Sequence, residues 1–248
     1  MPDFMGIGAM RSGTSWLSHH LRRHPEIWLG KKELHFFDRE LDTRAIPILP
    51  REIEARSRYA LKFIPGRLAG KVVGEFTPAY AVLERDAIAR IHAWCPRVRL
   101  LFMMRDPVER AWSHARKSFL SKRGRPVAEA LEAELKEFLD GPFTRRRGDY
   151  AWVLANWLSF YDRDQLFIAF FDELESDPGG LLRAVFQFLG VDPDVPLDRR
   201  EMASRVNPRP QAPMPEWVRA YLSDIFYKDT TRLEDLCGRQ VPWRRGKE

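Results

Sequence analysis

A short glycine-containing segment near the start of the chain, Gly6–Trp16, has the residues of an anion site. It lies between an apolar run that predicts a strand, Phe4–Gly8, and a periodic run that predicts a helix, Thr14–Arg23. Backbone N–H groups at a helix start, together with the helix dipole, favour phosphate. Arg11 adds a fixed positive charge, and Ser15 adds a hydroxyl donor. The segment therefore predicts a phosphate cradle, with a tight turn capped by a hydroxyl residue as the structural alternative.

This segment differs from the nucleotide loop of ATP- and GTP-hydrolysing enzymes. Gly8 and Gly13 have the separation of that motif, but Thr14 stands where its lysine belongs. No clear magnesium-binding aspartate follows the later apolar runs. A small-molecule or nucleoside kinase is therefore an alternative that the sequence disfavours.

A second segment places a cation and a hydroxyl after a predicted buried strand. Arg105 follows the apolar run Val98–Met104, and Ser113 lies about two turns into the next predicted helix. Open α/β sheets bind ligands at the carboxyl ends of their strands. A guanidinium and a hydroxyl together suit a phosphate group. The structural alternative is an ion pair of Arg105 with Asp106 or Glu109.

Two further segments supply carboxylates. The first, Lys31–Asp38, offers a cation, a base and an imidazole within a few residues, followed by two phenylalanines. A solvated charged loop is the alternative for this run. The second, Gly74–Tyr80, places Glu75 at the carboxyl end of another predicted strand, on the same sheet edge as the first two segments. On its own it also fits an ordinary strand-to-turn junction.

Alternating strands and helices must position these segments. Apolar runs predict four strands, at residues 4–8, 72–75, 98–104 and 166–171. Periodic runs predict the helices, at about 14–23, 86–93, 108–119, 127–139, 150–161, 181–189 and 216–236. This order predicts an α/β fold, with a three-layer, P-loop-like parallel sheet of about four to five strands flanked by helices. Residues 38–58 are predicted to be a surface excursion, and the proline-rich residues 192–215 a long functional loop.

Composition sets the outer limits of function. The 248 residues, 44% hydrophobic and 31% charged, predict one globular domain over 1–248. A formal net charge of +6 favours anionic partners without choosing among them. A non-catalytic nucleic-acid-binding module is therefore a second alternative, although the sequence has no recognised nucleic-acid motif.

Cysteine usage and apolar runs bear on cofactors and location. Cys95 and Cys237 lie far apart, which gives neither a disulfide framework nor a zinc motif. The N-terminal residues do not form a signal peptide, and the longest clean apolar run, Leu100–Met104, is too short to span a bilayer. The sequence predicts a cytoplasmic protein with no metal and no membrane association.

The four segments, in this order, resemble the sulfotransferases that depend on 3′-phosphoadenosine-5′-phosphosulfate (PAPS). The resemblance is greatest to the heparan sulfate N- and 3-O-sulfotransferase branch, in a bacterial-type soluble form, and it covers most of the chain. Lys32–Asp38 is similar to that branch's Glu-x-His-Phe-Phe segment, and Glu75–Tyr80 to its Glu-Lys-Thr-Pro-x-Tyr segment. The resemblance continues downstream at Tyr150, Trp157, Tyr161, Phe186–Gly190 and Pro242-Trp243.

The resemblance implies an activity and a set of residues. The enzyme would move the sulfuryl group of PAPS to a hydroxyl or amine and release 3′-phosphoadenosine-5′-phosphate (PAP). Glu33 would be the general base, helped by Arg11, His35 and Glu75. The implied nucleotide contacts are Arg11, Ser12, Gly13, Thr14, Ser15, Trp16, Arg105, Ser113, Arg205 and Arg209. The acceptor would be a small molecule or a glycan, free or bound to a carrier, and not a nucleic acid or a membrane; no metal is implied.

The chain departs from the family at two cationic positions. The family's loop lysine is Arg11 here, which keeps the charge but is a poorer proton donor. The lysine of the Glu-Lys-Thr-Pro segment is Phe76, so a cation near the transferred group is missing, with Lys32 and Lys71 as its candidate replacements. Ser204–Arg209 stands where the heparan enzymes have a disulfide-linked hairpin.

Overall fold

A computed structural model of the chain describes residues 1–40, 49–196, 202, 212–228 and 230–243. Within these residues, five strands form one sheet in the order β2-β3-β1-β4-β5, and every neighbouring pair is parallel. The strands are β1 (Phe4–Gly8), β2 (Ile27–Leu29), β3 (Val72–Phe76), β4 (Arg99–Met104) and β5 (Leu166–Phe170). The predicted α/β fold with a parallel sheet is confirmed.

Helices connect the strands and cover both faces of the sheet. Their bounds are α1 (Thr14–Arg23), α2 (Leu49–Leu61), α3 (Ile64–Leu68), α4 (Arg85–Trp94), α5 (Pro107–Arg123), α6 (Glu132–Asp140), α7 (Pro142–Gly148), α8 (Tyr150–Leu158), α9 (Phe171–Ser176), α10 (Pro178–Leu189), α11 (Glu216–Phe226) and α12 (Thr230–Cys237). A π-helical turn spans Phe36–Glu40, and 3-10 turns span Pro78–Val82, Val127–Glu129 and Arg163–Gln165.

The continuous apolar run of β4 is explained by burial on both faces. Leu100, Phe102 and Met104 join the core that α4 and α8 cover. Leu101 and Met103 point the other way, into the core that α1 and α10 cover. Successive side chains of a strand alternate between faces, so the run Leu100–Met104, which is covered on both faces, is apolar at every position.

A third apolar cluster fixes the position of α5. Val108, Ala111 and Phe119 on this helix pack with Val218 and Leu222 of α11. The α5 helix begins where β4 ends, and its N-terminus is capped by the Asp106 carboxylate, which accepts a hydrogen bond from the Val108 N–H at 2.8 Å. Ser113 is thereby held at the carboxyl edge of the sheet.

The structure differs from the predicted local structure in four places, one of which is the helix predicted at 127–139, where a 3-10 turn at Val127–Glu129 precedes α6. The short strand β2 was not predicted, because three residues show no periodicity. Of the surface excursion predicted at residues 38–58, residues 41–48 lie outside the described residues, whereas 49–58 belong to α2, which packs Ala55 into the core. The helix predicted at residues 216–236 is two helices, α11 and α12.

Candidate active site

The loop between β1 and α1 has an unusual backbone immediately before the start of the helix. Gly13 caps α1 with φ 82°, and a Cβ added there would lie 2.8 Å from Leu174 Cδ2, so a larger residue would be strained and crowded. Arg11 also has a left-handed backbone, with φ 72°. Non-glycine residues in this region cost free energy and occur frequently at functional sites.

Two segments far apart in sequence meet at this loop. The Arg11 Nε donates a hydrogen bond of 3.0 Å to Ser113 Oγ on α5. Ser113 is almost fully buried, which makes the contact well fixed. The β1–α1 loop and the first turns of α5 therefore meet at the carboxyl edge of β1 and β4, and the surface between them is called the groove below.

Arg105 lies at the end of β4, one step further along this groove. Its guanidinium stacks 4.7 Å from the Phe171 ring centre, and its Nη2 lies 3.6 Å from Glu109 Oε2. The Tyr150 hydroxyl donates to the Arg105 carbonyl at 2.9 Å and so fixes the backbone. The structural ion pair considered from sequence is thus present with Glu109, while the Asp106 carboxylate is engaged in capping α5. A contact of 3.6 Å at a partly exposed site still leaves Arg105 suited to a second anion.

In the segment after β2, the side chains of Glu33, His35 and Asp38 lie next to one another in space. The Glu33 N–H donates to the Phe76 carbonyl at 2.9 Å, so this segment follows the carboxyl end of β3. His35 lies between the other two, with Nε2 3.6 Å from Glu33 Oε2 and Nδ1 2.8 Å from Asp38 Oδ2. The Glu33 side chain is half exposed, whereas His35 and Asp38 are largely buried. Glu33 is therefore the member that a substrate can reach.

The backbone of this segment is as unusual as that of the β1–α1 loop. Glu33 has φ 61° and His35 has φ 54°. Together with Arg11, they are the non-glycine residues with positive φ in the described part of the chain. All three were predicted from the sequence to be catalytic residues. Backbone strain is expected to concentrate at functional sites.

Lys32 reaches into the phosphate cradle from this segment. Its Nζ donates to Ser15 Oγ at 2.6 Å and lies 3.9 Å from Glu33 Oε1. Burial lowers the pKa of the Lys32 ammonium, and the Glu33 carboxylate opposes that shift. Lys71, the other candidate for the missing cation, precedes β3 and so lies at the opposite edge of the sheet. The structure therefore favours Lys32 as the replacement.

Glu75 lies beneath the site. Its side chain is fully buried, and its oxygens accept hydrogen bonds from the Tyr59 hydroxyl and, at 2.9 Å, from the Thr77 hydroxyl. Burial raises the pKa of Glu75 to about 7, an effect that these hydrogen bonds partly offset. The resemblance implies that Glu75 orients the acceptor or Glu33. Because Glu75 is fully buried, a role towards the segment that carries Glu33 fits its position better than direct contact with an acceptor.

The connection from Glu75 to that segment runs through Tyr80. The Tyr80 hydroxyl accepts hydrogen bonds from the backbone N–H of Phe36 at 3.0 Å and of Phe37 at 3.4 Å, and it hydrogen-bonds to the Glu75 side chain. These amides follow His35 directly. The buried carboxyl group thus holds the segment that carries Glu33 and His35.

The other residues that the resemblance implied as nucleotide contacts are buried, packed in the core or outside the described residues. Ser12 and Thr14 are buried in the loop. Trp16 packs in the core of the α1 face, and its indole N–H donates to the Met202 carbonyl at 3.0 Å. This contact ties α1 to the proline-rich segment. Arg205 and Arg209 lie outside the described residues.

Sequence reasoning left Asp38 and Tyr80 out of the site. Asp38 was visible as part of Lys31–Asp38, and its spacing of three residues from His35 was the available signal. Tyr80 was visible as the last residue of Glu75–Tyr80. Neither contact could be read from spacing alone, because both depend on the turn that begins at Phe36.

Within the residues that the structure describes, no group of three or more His, Cys, Asp or Glu side chains is arranged to hold a metal ion. In the same residues, no helix combines the length and the hydropathy needed to cross a membrane.

The fold and the groove define a class of protein that comparison with known families identifies. A family model described as "Sulfotransferase domain" matches residues 1–209. The chain belongs to the sulfotransferase family, and the family predicted from sequence is confirmed. The match disfavours the kinase and the nucleic-acid-binding alternatives.

Individual relatives agree with this assignment. The human heparan sulfate glucosamine 3-O-sulfotransferase 3B1 is 31% identical over 194 residues, which cover 77% of this chain and 46% of that protein. The chain thus spans about half the length of the curated relatives it matches. A sulfotransferase crystal structure from Alicyclobacillus acidocaldarius has a TM-score of 0.73 and 27% identity, and covers 97% of both chains. The sulfotransferase domain from the curacin biosynthetic pathway, at 16% identity and a TM-score of 0.60 over 98% of this chain and 99% of that one, shares the fold.

Proposed function

We propose that this chain transfers the sulfuryl group of PAPS to a hydroxyl or amine of a small-molecule or glycan acceptor and releases PAP. The observation that carries the proposal is the hydrogen bond of 3.0 Å from Arg11 Nε to Ser113 Oγ. It joins the β1–α1 loop, which carries Arg11, to α5, which begins just after Arg105, so the two cationic segments meet at one edge of the sheet. Family membership supports the same reaction class.

The groups along the groove fit a nucleotide with phosphates at two positions. Near the start of α1, free N–H groups, Arg11 and Lys32 offer positive charge to a phosphosulfate. Ser113, which contacts Arg11, offers a hydroxyl to the 3′-phosphate, and Arg105 at the end of β4 offers a guanidinium. Arg205 and Arg209, which lie outside the described residues, are proposed as further nucleotide contacts on the resemblance alone. PAPS would supply the activated sulfuryl group, and the chain would supply its orientation.

The acceptor side of the proposed reaction rests on Glu33. Its exposed carboxylate takes the proton of the attacking hydroxyl or amine. Asp38 holds Nδ1 of His35, which directs Nε2 towards Glu33. Arg11 and the N–H groups at the start of α1 stabilise the negative charge that develops on the leaving phosphate. Positioning and charge stabilisation together account for the catalysis expected of such a transfer.

The organisation and location proposed from sequence have support of their own. The described strands belong to one sheet, which favours a single domain over residues 1–248. Cys95 and Cys237 are both free and buried, as is usual for proteins of a reducing compartment. We propose a cytoplasmic enzyme on these grounds.

A two-stage experiment tests the proposed function. Isothermal titration calorimetry with PAP and with ATP–Mg²⁺ comes first, and we expect binding of PAP and little heat from ATP. Radiolabelled PAPS is then offered with panels of phenols, amino sugars and glycan oligosaccharides, and we expect label on at least one acceptor. ATP binding without PAP binding would contradict the proposal.

A further inference from the structure

The Lys32 ammonium group lies at the start of α1, where the proposed phosphosulfate group would bind. Its Nζ is 2.6 Å from Ser15 Oγ, at the second residue of α1, where the helix N-terminus attracts phosphate. The Lys32 side chain is only 24% exposed. An ammonium group held at a helix N-terminus is repelled by the dipole, so an incoming anion relieves an unfavourable arrangement.

Three charged groups face Lys32 from the elements around it. Glu33, the adjacent residue, raises the pKa of Lys32, whereas Arg22 of α1 and Lys117 of α5 lower it along with burial. Arg22 is held in place by a bond of 2.9 Å from its Nη2 to the Gly30 carbonyl. Lys32 therefore lies in an environment with more positive than negative neighbours, which eases loss of its proton.

Arg11 cannot donate a proton to the leaving phosphate. A guanidinium keeps its proton at any pH at which proteins are stable, so it stabilises charge without donating a proton. Its Nε is also engaged with Ser113. A leaving phosphate that takes up a proton in this groove has to receive it from another group.

We infer that Lys32 is the proton donor to the leaving 5′-phosphate, an inference that rests on the proposed function. As the acceptor oxygen or nitrogen bonds to sulfur, the bond from sulfur to the bridging oxygen breaks and its electron pair stays on that oxygen. Lys32 gives this oxygen a proton while Glu33 takes the acceptor's proton. Glu33 then returns that proton to the neutral Lys32 amine, 3.9 Å away, and both groups are restored. The products are the sulfated acceptor and PAP protonated on its 5′-phosphate.

Proton uptake on PAP binding tests the inference without turnover. PAP is titrated by calorimetry at several pH values up to the ordinary lysine pKa of ~10.4, each in two buffers with different heats of ionisation. The wild type should take up a proton, because the phosphate favours the charged amine. Lys32→Arg and Lys32→Ala should show no uptake. Lys31→Ala, which removes the exposed neighbouring lysine, should behave as the wild type does.

Single-turnover breakdown of bound PAPS to PAP gives the second readout. Lys32→Arg keeps the charge but loses the transferable proton, so we expect a rate lower by about 10²-fold or more with PAP affinity retained. The Lys31→Ala rate should be that of the wild type. A Lys32→Arg enzyme with the wild-type rate and wild-type proton uptake would overturn the inference alone. A wild type that neither binds PAP nor consumes PAPS would instead overturn the proposed function.

Discussion

Glu33 and Glu75 are two carboxylates at the same sheet edge in opposite environments. Glu33 is half exposed on a backbone with positive φ, and its neighbours are Lys32 and His35. Glu75 is fully buried and accepts hydrogen bonds from hydroxyl groups. The contrast separates two tasks. A carboxylate that exchanges protons with a substrate needs access, whereas one that holds a segment in place needs partners and no solvent.

The largest effect should come from the exposed carboxylate. Glu33→Gln removes the proposed base and keeps the shape, so we expect the transfer rate to fall by about 10²- to 10⁴-fold. PAP affinity, measured by calorimetry, should stay near that of the wild type. Glu175→Gln, at an exposed position on α9, is the control and should leave both unchanged. Full transfer activity in Glu33→Gln would show that Glu33 is not the base, and the proposed difference in role between Glu33 and Glu75 would no longer hold.

The buried carboxylate should appear in the pH dependence of stability. Its pKa in the folded state is about 7, above the value of 4.5 expected for an unfolded chain. Between these values the folded state binds more protons than the unfolded state, so the Glu75 contribution favours folding at low pH and is lost as pH rises towards 7. At about 1.4 kcal/mol for each pKa unit, the loss is on the order of 3 kcal/mol.

Comparison of the wild type with Glu75→Gln isolates this contribution. Free energies of unfolding are measured by urea titration at about pH 5 and about pH 8, on either side of the transition. The stability of the wild type relative to the variant should fall between these two pH values. A difference between the two proteins that is the same at both pH values would show that Glu75 does not titrate in this range.

A smaller effect is expected at the connection between the two carboxylates. Tyr80→Phe removes the oxygen that accepts the Phe36 and Phe37 amides, which should cost about 1–3 kcal/mol of stability. We expect kcat to fall by roughly tenfold, equivalent to about 1.4 kcal/mol, with PAP affinity retained. Tyr161→Phe removes another buried hydroxyl, one that donates to the Cys95 carbonyl, and should lower stability without affecting kcat. Equal effects of both variants on kcat would deny Tyr80 a positioning role.

Most strands of the sheet, and the residues at their ends, could be predicted from the sequence. The apolar runs of β1, β3, β4 and β5 predicted the sheet, because burial on both faces leaves a strong pattern. The strand ends then placed Arg11, Arg105 and Glu75 at one edge. The strand β2 was missed because three residues carry too little pattern.

The different roles of the polar residues in the site could not be predicted from the sequence pattern. Glu75 is buried by Tyr59 of α2, which belongs to a stretch of mixed polarity with no clear period. Asp38 reaches His35 only because a π-helical turn starts at Phe36. Long-range packing decides which of several plausible polar residues are exposed, and local spacing carries little information about it.

The central claim is that a doubly phosphorylated adenosine lies along the groove, with its 3′-phosphate at Arg105 and Ser113. Calorimetric titration of the wild type and Arg105→Ala with PAP and with adenosine 5′-phosphate, which lacks the 3′-phosphate, tests it most directly. We expect the substitution to weaken PAP binding by about 1.5–3 kcal/mol, as for a hydrogen bond to a charged group, and to leave adenosine 5′-phosphate affinity unchanged. Equal weakening of both nucleotides, or no weakening of PAP, would contradict the claim.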